Sequence, residues 1–124
     1  MESYKVLIVE DTQDLARIML QFLRAKSDAE VLLATSGNQA IEIMATQKVN
    51  LIITDLYMSN GNGMKVIEKA EELGIDVVVH SGVMKAYELH LPEGIAILEK
   101  PSRLDDILEV INEFRGLATS RNIA

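Results

Sequence analysis

Apolar residues fall into two alternating patterns along the chain. Val6-Leu7-Ile8-Val9 is a continuous run of strand length, and Leu15, Ile18, Met19, Phe22 and Leu23 then recur at helical spacing. Val31-Leu32-Leu33 is the second run. Ser36-Gly37-Asn38-Gln39 has the form of a capping box and opens a helix carrying Ala40, Ile41, Met44 and Ala45. Leu51-Ile52-Ile53 is the third run, and a helix through Met64, Ile67, Ala70 and Leu73 follows, with Gly74 as its stop. Ile75 to Val79 forms the fourth strand, and residues 83–90 a short, poorly patterned helix. Pro92 and Gly94 interrupt the chain before the last strand, Ile95 to Leu98. Leu104, Ile107, Leu108, Ile111 and Phe114 give the clearest amphipathic helix. Continuous apolar strands alternating with helices predict an α/β fold: a doubly wound, five-stranded parallel sheet with helices on both faces. No internal repeat or linker divides the chain, so the pattern predicts a single domain with a core over about 4–117 and a frayed tail from Ser120 to Ala124.

Composition narrows the function classes. A chain of 124 residues that is 48% hydrophobic can bury a core. It has no cysteine, so neither a disulfide framework nor thiolate chemistry is available. A net charge of −7 argues against direct nucleic-acid binding and suits cations or basic partners. No apolar run approaches the roughly 20 residues of a membrane span. The opening MESYKVLIVED lacks a basic n-region, so no signal peptide is expected and a cytoplasmic location is.

In open parallel sheets, ligands bind outside the carboxyl ends of the strands. Glu10 and Asp11 follow the first strand, Asp55 the third, Ser81 the fourth and Lys100 the fifth. Three neighbouring carboxylates repel one another, and a divalent cation relieves that repulsion. All-oxygen ligation completed by water is Mg²⁺ chemistry, and the absence of His and Cys from these ends speaks against zinc. A hydroxyl and an ammonium opposite the metal suit an anion held between them. Phosphoryl transfer needs this arrangement, with a carboxylate as nucleophile. Asp55 is the acceptor on this reading.

With these residues in place, the chain resembles the receiver domain of two-component response regulators over about residues 4–117. Glu10-Asp11 matches the family's acidic pair, Asp55 with Met58 and Gly63 its acceptor pattern, Ser81-Gly82 its hydroxyl and small residue, and Lys100-Pro101 its Lys-Pro. The resemblance implies a flavodoxin-like sheet in the order 2-1-3-4-5 and a cis Lys100-Pro101 peptide. It implies that Asp55 takes a phosphoryl group from a sensor histidine kinase or a phosphotransfer protein. Glu10, Asp11, Asp55 and the backbone carbonyl of Tyr57 would hold Mg²⁺, Ser81 would bond a phosphoryl oxygen, and Lys100 would pair with the phosphate. The partners implied are that donor and a downstream protein target, without nucleic acid or membrane, and homodimerisation stays open. Ser59 replaces the usual Pro, Ile97 replaces the switch aromatic, and only 19 positions separate Ser81 from Lys100. Tyr57 and Val83 occupy the positions that commonly tune phosphate lifetime, and neither orients water well, so slow dephosphorylation is expected.

Other readings compete. Asp11 or Thr12 could cap the first helix, and Ser81-Gly82 could be only a turn. Ser102 with Asp105 reads as an N-cap and its helix-terminal charge. Asn60 to Gly63 reads as a flexible loop with Asn62 as a cap for the third helix. His80 abuts Ser81, but adjacent strand residues face opposite ways, which disfavours a Ser-His hydrolase. His90 reads as a loop residue, and the six methionines as core filler. A phosphohydrolase would carry an acid/base Asp where Tyr57 stands. A nucleotide or flavin module would need a glycine-rich phosphate loop, which is absent. A degenerate receiver that docks proteins without being phosphorylated remains the alternative. The chain is expected to be a signalling phosphoacceptor and not a turnover enzyme.

Overall fold

Strands with continuous aliphatic centres must be covered on both faces, and the chain achieves this with helices above and below one sheet. The computed structural model describes residues 3–58, 60, 62–82 and 91–123, the last five as backbone only. The elements are β1 (Lys5–Val9), α1 (Gln13–Lys26), β2 (Glu30–Ala34), α2 (Gly37–Thr46), β3 (Leu51–Thr54), α3 (Gly63–Glu72), β4 (Asp76–Ser81), β5 (Ala96–Glu99) and α4 (Leu104–Ile123). The strands form one parallel sheet in the order β2-β1-β3-β4-β5, as expected. The expected short helix over 83–90, with Val83 and His90, lies outside the described residues.

Strand alternation sorts the core into two layers. Leu7, Val9, Ile52, Val77 and Val79 pack with Ala40 and Met44 of α2 and with Val66, Ile67 and Ala70 of α3. Val6, Ile8, Leu51, Ile53 and Val78 pack with Met19 and Leu23 of α1 and with Ile107 and Ile111 of α4. β5 is an edge strand whose exposure alternates, and Ile97 at its middle is 43% exposed.

The element boundaries follow from where backbone donors go. α3 ends in a Schellman turn: Gly74 takes φ +72°, its N–H donates to Glu71 O at 3.1 Å, and Ile75 N–H donates to Ala70 O at 2.8 Å. Leu73 is the C-cap, and Ile75 finishes the helix instead of starting the strand, so β4 begins at Asp76. Ile95 likewise donates to Pro92 O at 3.3 Å, which delays β5 to Ala96. α4 continues to Ile123, past Gly116 and through a stretch that carries no regular apolar stripe.

Side-chain caps close two of the helix starts. Ser36 Oγ accepts Gln39 N–H at 3.1 Å, while Gln39 Oε1 reaches back to Thr35 N–H at 2.7 Å, one residue upstream of the ordinary box. Asn62 Oδ1 accepts Lys65 N–H at 2.9 Å as expected. Thr12 occupies the N-cap position of α1 without a side-chain cap bond. Asp105 lies in the first turn of α4, as its reading as a helix-terminal charge expects, but Ser102 is not the cap. Asp106 Oδ2 accepts Arg103 N–H at 3.0 Å at the start of α4, and Asp105 pairs instead with the Arg103 guanidinium at 3.5 Å. Ser102 is committed elsewhere, to His80.

Candidate functional site

The sheet order makes β1 and β3 neighbours, so Glu10 and Asp55 leave adjacent strand tips. Glu10 is only 1% exposed. Its Oε1 accepts from Lys100 Nζ at 2.7 Å and its Oε2 from Thr12 N–H at 3.1 Å. Asp55 Oδ2 accepts from the same ammonium at 2.8 Å, while its Oδ1 accepts from Leu56 N–H at 2.7 Å and Tyr57 N–H at 3.2 Å. Both carboxylates are therefore held at both oxygens. Burial alone would lower the Lys100 ammonium, but its hydrogen bonds to Asp55 and Glu10 outweigh that and raise it above the ordinary lysine value.

Lys100 arrives from β5, with β4 lying between it and Asp55. Its N–H donates to Ser81 O at 3.1 Å, which fastens the end of β5 to β4. Gly82 lies where the lysine stem passes, and a Cβ added there would meet Lys100 Cβ at an ordinary 3.6 Å. The Lys100-Pro101 peptide is cis.

Ser81 is 1% exposed, and its Oγ has no hydrogen-bond partner among the described residues. Asp11 is half-buried at the rim, beside a surface hollow shared with Leu56, Tyr57, Met58, Asn62 and Met64. The Tyr57 residue is 41% exposed. The structure thus gathers Glu10, Asp55 and Lys100 into direct contact and leaves Asp11 at the edge. Among the described residues, no three or more His, Cys, Asp or Glu side chains close on one point as a metal centre.

Asp55 is followed by a tightly closed loop. Gly63 N–H donates to Leu56 O at 3.1 Å, and a Cβ on Gly63 would overlap the Asp55 carbonyl oxygen. Asn60 O accepts from Gly37 N–H at 2.9 Å and Asn38 N–H at 3.3 Å, so part of the segment read as flexible is latched to the start of α2. Sequence reasoning missed that latch because a backbone acceptor leaves no residue signature. It weighed His80 only against Ser81 and missed its bond to Ser102, whose Oγ lies 2.8 Å from Nε2. A polar residue inside an apolar run was the available signal. Burial, then the Lys100 charge, lower the His80 imidazole below its ordinary value, against smaller opposing effects of Glu10 and Asp55.

Comparison with known proteins accords with this geometry. The chain is 24% identical over 121 residues to the probable C4-dicarboxylate response regulator DctR of Bacillus subtilis, a match covering 92% of this chain and 53% of that protein. It is 28% identical over 123 residues to the autoinducer 1 sensor kinase/phosphatase LuxN of Vibrio harveyi, covering 96% of this chain and 14% of that protein. It thus spans about half, or much less, of the length of these relatives. Among solved structures, the signal receiver domain of a putative Luxo repressor protein from Vibrio parahaemolyticus superposes with a TM-score of 0.85 at 22% identity, over 98% of this chain and 97% of that one. The receiver domain of the hybrid histidine kinase CckA gives a TM-score of 0.72 at 27% identity, over 89% and 97% of the two chains. Residues 6–112 match the response regulator receiver domain family, and the chain belongs to that family.

Proposed function

We propose that Asp55 accepts a phosphoryl group from the phosphohistidine of a sensor histidine kinase or a phosphotransfer protein, and that the added charge switches a surface which a downstream protein reads. The observation that carries this reading is Lys100 Nζ, held 2.8 Å from the acceptor carboxylate and 2.7 Å from Glu10, with the buried Ser81 hydroxyl at the next strand tip free of a hydrogen-bond partner among the described residues. A cation fixed against the acceptor favours an arriving anion without reorganisation during transfer. A carboxylate oxygen of Asp55 forms the new O–P bond. The P–N bond to the donor imidazole breaks, and its electron pair stays on that ring nitrogen. The backbone amides of Leu56 and Tyr57 hold Asp55 Oδ1 and restrict rotation of the carboxylate. Lys100 neutralises charge on the incoming group, and Ser81 O–H donates to a phosphoryl oxygen.

Glu10, Asp11 and Asp55, with the Tyr57 backbone carbonyl, would hold Mg²⁺. The donors suit the ion in kind, because all four are hard oxygens, and since Mg²⁺ usually keeps several waters and one or two protein carboxylates, the acids need not close on one point to hold it. When bound, the ion supplies further neutralisation of the phosphoryl oxygens.

This makes the chain a phosphoacceptor and not a turnover enzyme. Tyr57 stands where a phosphohydrolase would need a second acid, and it is a poor orienter of attacking water, so phosphate is lost slowly. Similarity to a stretch of a sensor kinase/phosphatase and to the receiver of a hybrid histidine kinase supports a kinase as donor. Among the described residues no helix is long and apolar enough to cross a membrane. Incubation with acetyl phosphate and Mg²⁺, followed by intact mass, tests the reading. A gain of one phosphoryl group that is lost in Asp55→Asn is expected. No gain in the unaltered chain overturns it and leaves a phosphorylation-independent docking module.

A further inference from the structure

His80 has no part in the chemistry above, yet it is buried to 4% exposure in the middle of the sheet's working edge. Thr54 pairs with both Val9 and Val79, so one step further the three strands present Glu10, Asp55 and His80 side by side. Alternation puts His80 on the Val78 face, under α1 and α4. From there Nε2 meets Ser102 Oγ at 2.8 Å. Ser102 lies two residues past Lys100, beyond Pro101, which has no N–H to offer. β5 pairs with β4 alone, as the sheet edge. The segment carrying Lys100 is tied to β4 at two points past the ladder: the Lys100 amide on Ser81 O, and Ser102 on His80.

We infer that His80 is a positioning residue for phosphoryl acceptance: through Ser102 it holds the turn that presents Lys100 Nζ to Glu10 and Asp55. The lysine stem is flexible and crosses the tip of β4, so the direction in which the turn launches it decides whether the ammonium reaches both carboxylates. An aliphatic residue would fill the His80 position with no buried polar group to satisfy. An imidazole there is accounted for by the bond it makes. Held neutral by burial, the ring has one donor and one acceptor, and its Nε2 can bond a hydroxyl in either role.

The inference rests on the phosphoacceptor reading, and its test separates the two. Rates of acetyl phosphate labelling are measured across donor concentrations for His80→Ala, Ser102→Ala, the double variant, His80→Gln and Ser102→Thr. Each alanine variant is expected to label about tenfold more slowly at saturating donor. The double variant should be no slower than either single one, and the Gln and Thr variants should recover most of the rate, since each restores a bonding group. Unaltered rates in the alanine variants, or additive losses in the double variant, overturn the inference. The ¹³C NMR signal of reductively methylated Lys100, identified with Lys100→Arg, reports its placement whether or not phosphate is accepted. It should move towards the exposed lysines in both alanine variants. If the unaltered chain takes no phosphate, the functional reading fails, and a Lys100 signal unmoved by either variant then overturns the positioning role separately.

Discussion

Gly63 shows how little space the acceptor allows around its own backbone. A methyl group there would overlap the Asp55 carbonyl oxygen and press on the Leu56 main chain. Alanine normally favours a helix over glycine, but the clash is with backbone and has no flexible side chain to move. Gly63→Ala is expected to lower stability by about 1–3 kcal/mol in urea denaturation and to slow labelling of Asp55. His80 gives a pH signature. Its imidazole is lowered in the folded chain by burial and Lys100, with Glu10 and Asp55 opposing. The unfolded chain therefore takes up a proton first as pH falls below the ordinary value of about 6.5, and stability drops from there down to the lowered folded value. Above that ordinary value His80 adds no slope. Comparing urea midpoints at several pH values should show this acid-side loss in the natural chain and a shallower one in His80→Gln.

Elements with a strong period were legible, and their ends were legible only where a side chain announced them. Ser36 and Asn62 have the chemistry and spacing of caps, and both act as caps. Ser102 has the same chemistry, but its partner lies on β4, 22 positions back, where no local pattern could point. β4 and β5 start one residue later than their apolar runs because Ile75 and Ile95 give their amides to turns. A backbone donor spent on a turn looks the same in sequence as one spent on a strand. Asn62 is the clearest element-scale test. Its Oδ1 satisfies an orphan amide at the start of α3, one residue before Gly63, which packs against the Asp55 backbone. Asn62→Ala should lower stability by about 1 kcal/mol, and Asn62→Asp should largely preserve it, as read from thermal unfolding.

At the scale of the whole molecule, Glu10, Asp55 and Lys100 are distant in sequence, and the sheet order decides which of them touch. β1 and β3 are neighbours, so the two acids leave adjacent tips, whereas β5 lies beyond β4 and only a long side chain crosses that tip. That convergence was legible because every parallel strand delivers its following residue to the same edge. The lateral bond that aims the lysine was not, since it depends on packing between strands. Ser81 brings a consequence for the molecule's energy landscape. Its hydroxyl is buried and none of the described residues meets it, which leaves it available to an arriving oxyanion. Ser81→Ala is accordingly expected to leave the resting chain as heat-stable as before, or more so, and to shrink the gain in melting temperature on phosphorylation. The unmodified protein would then sit short of its own stability optimum, and occupancy of the edge would be readable as a rise in rigidity throughout the sheet.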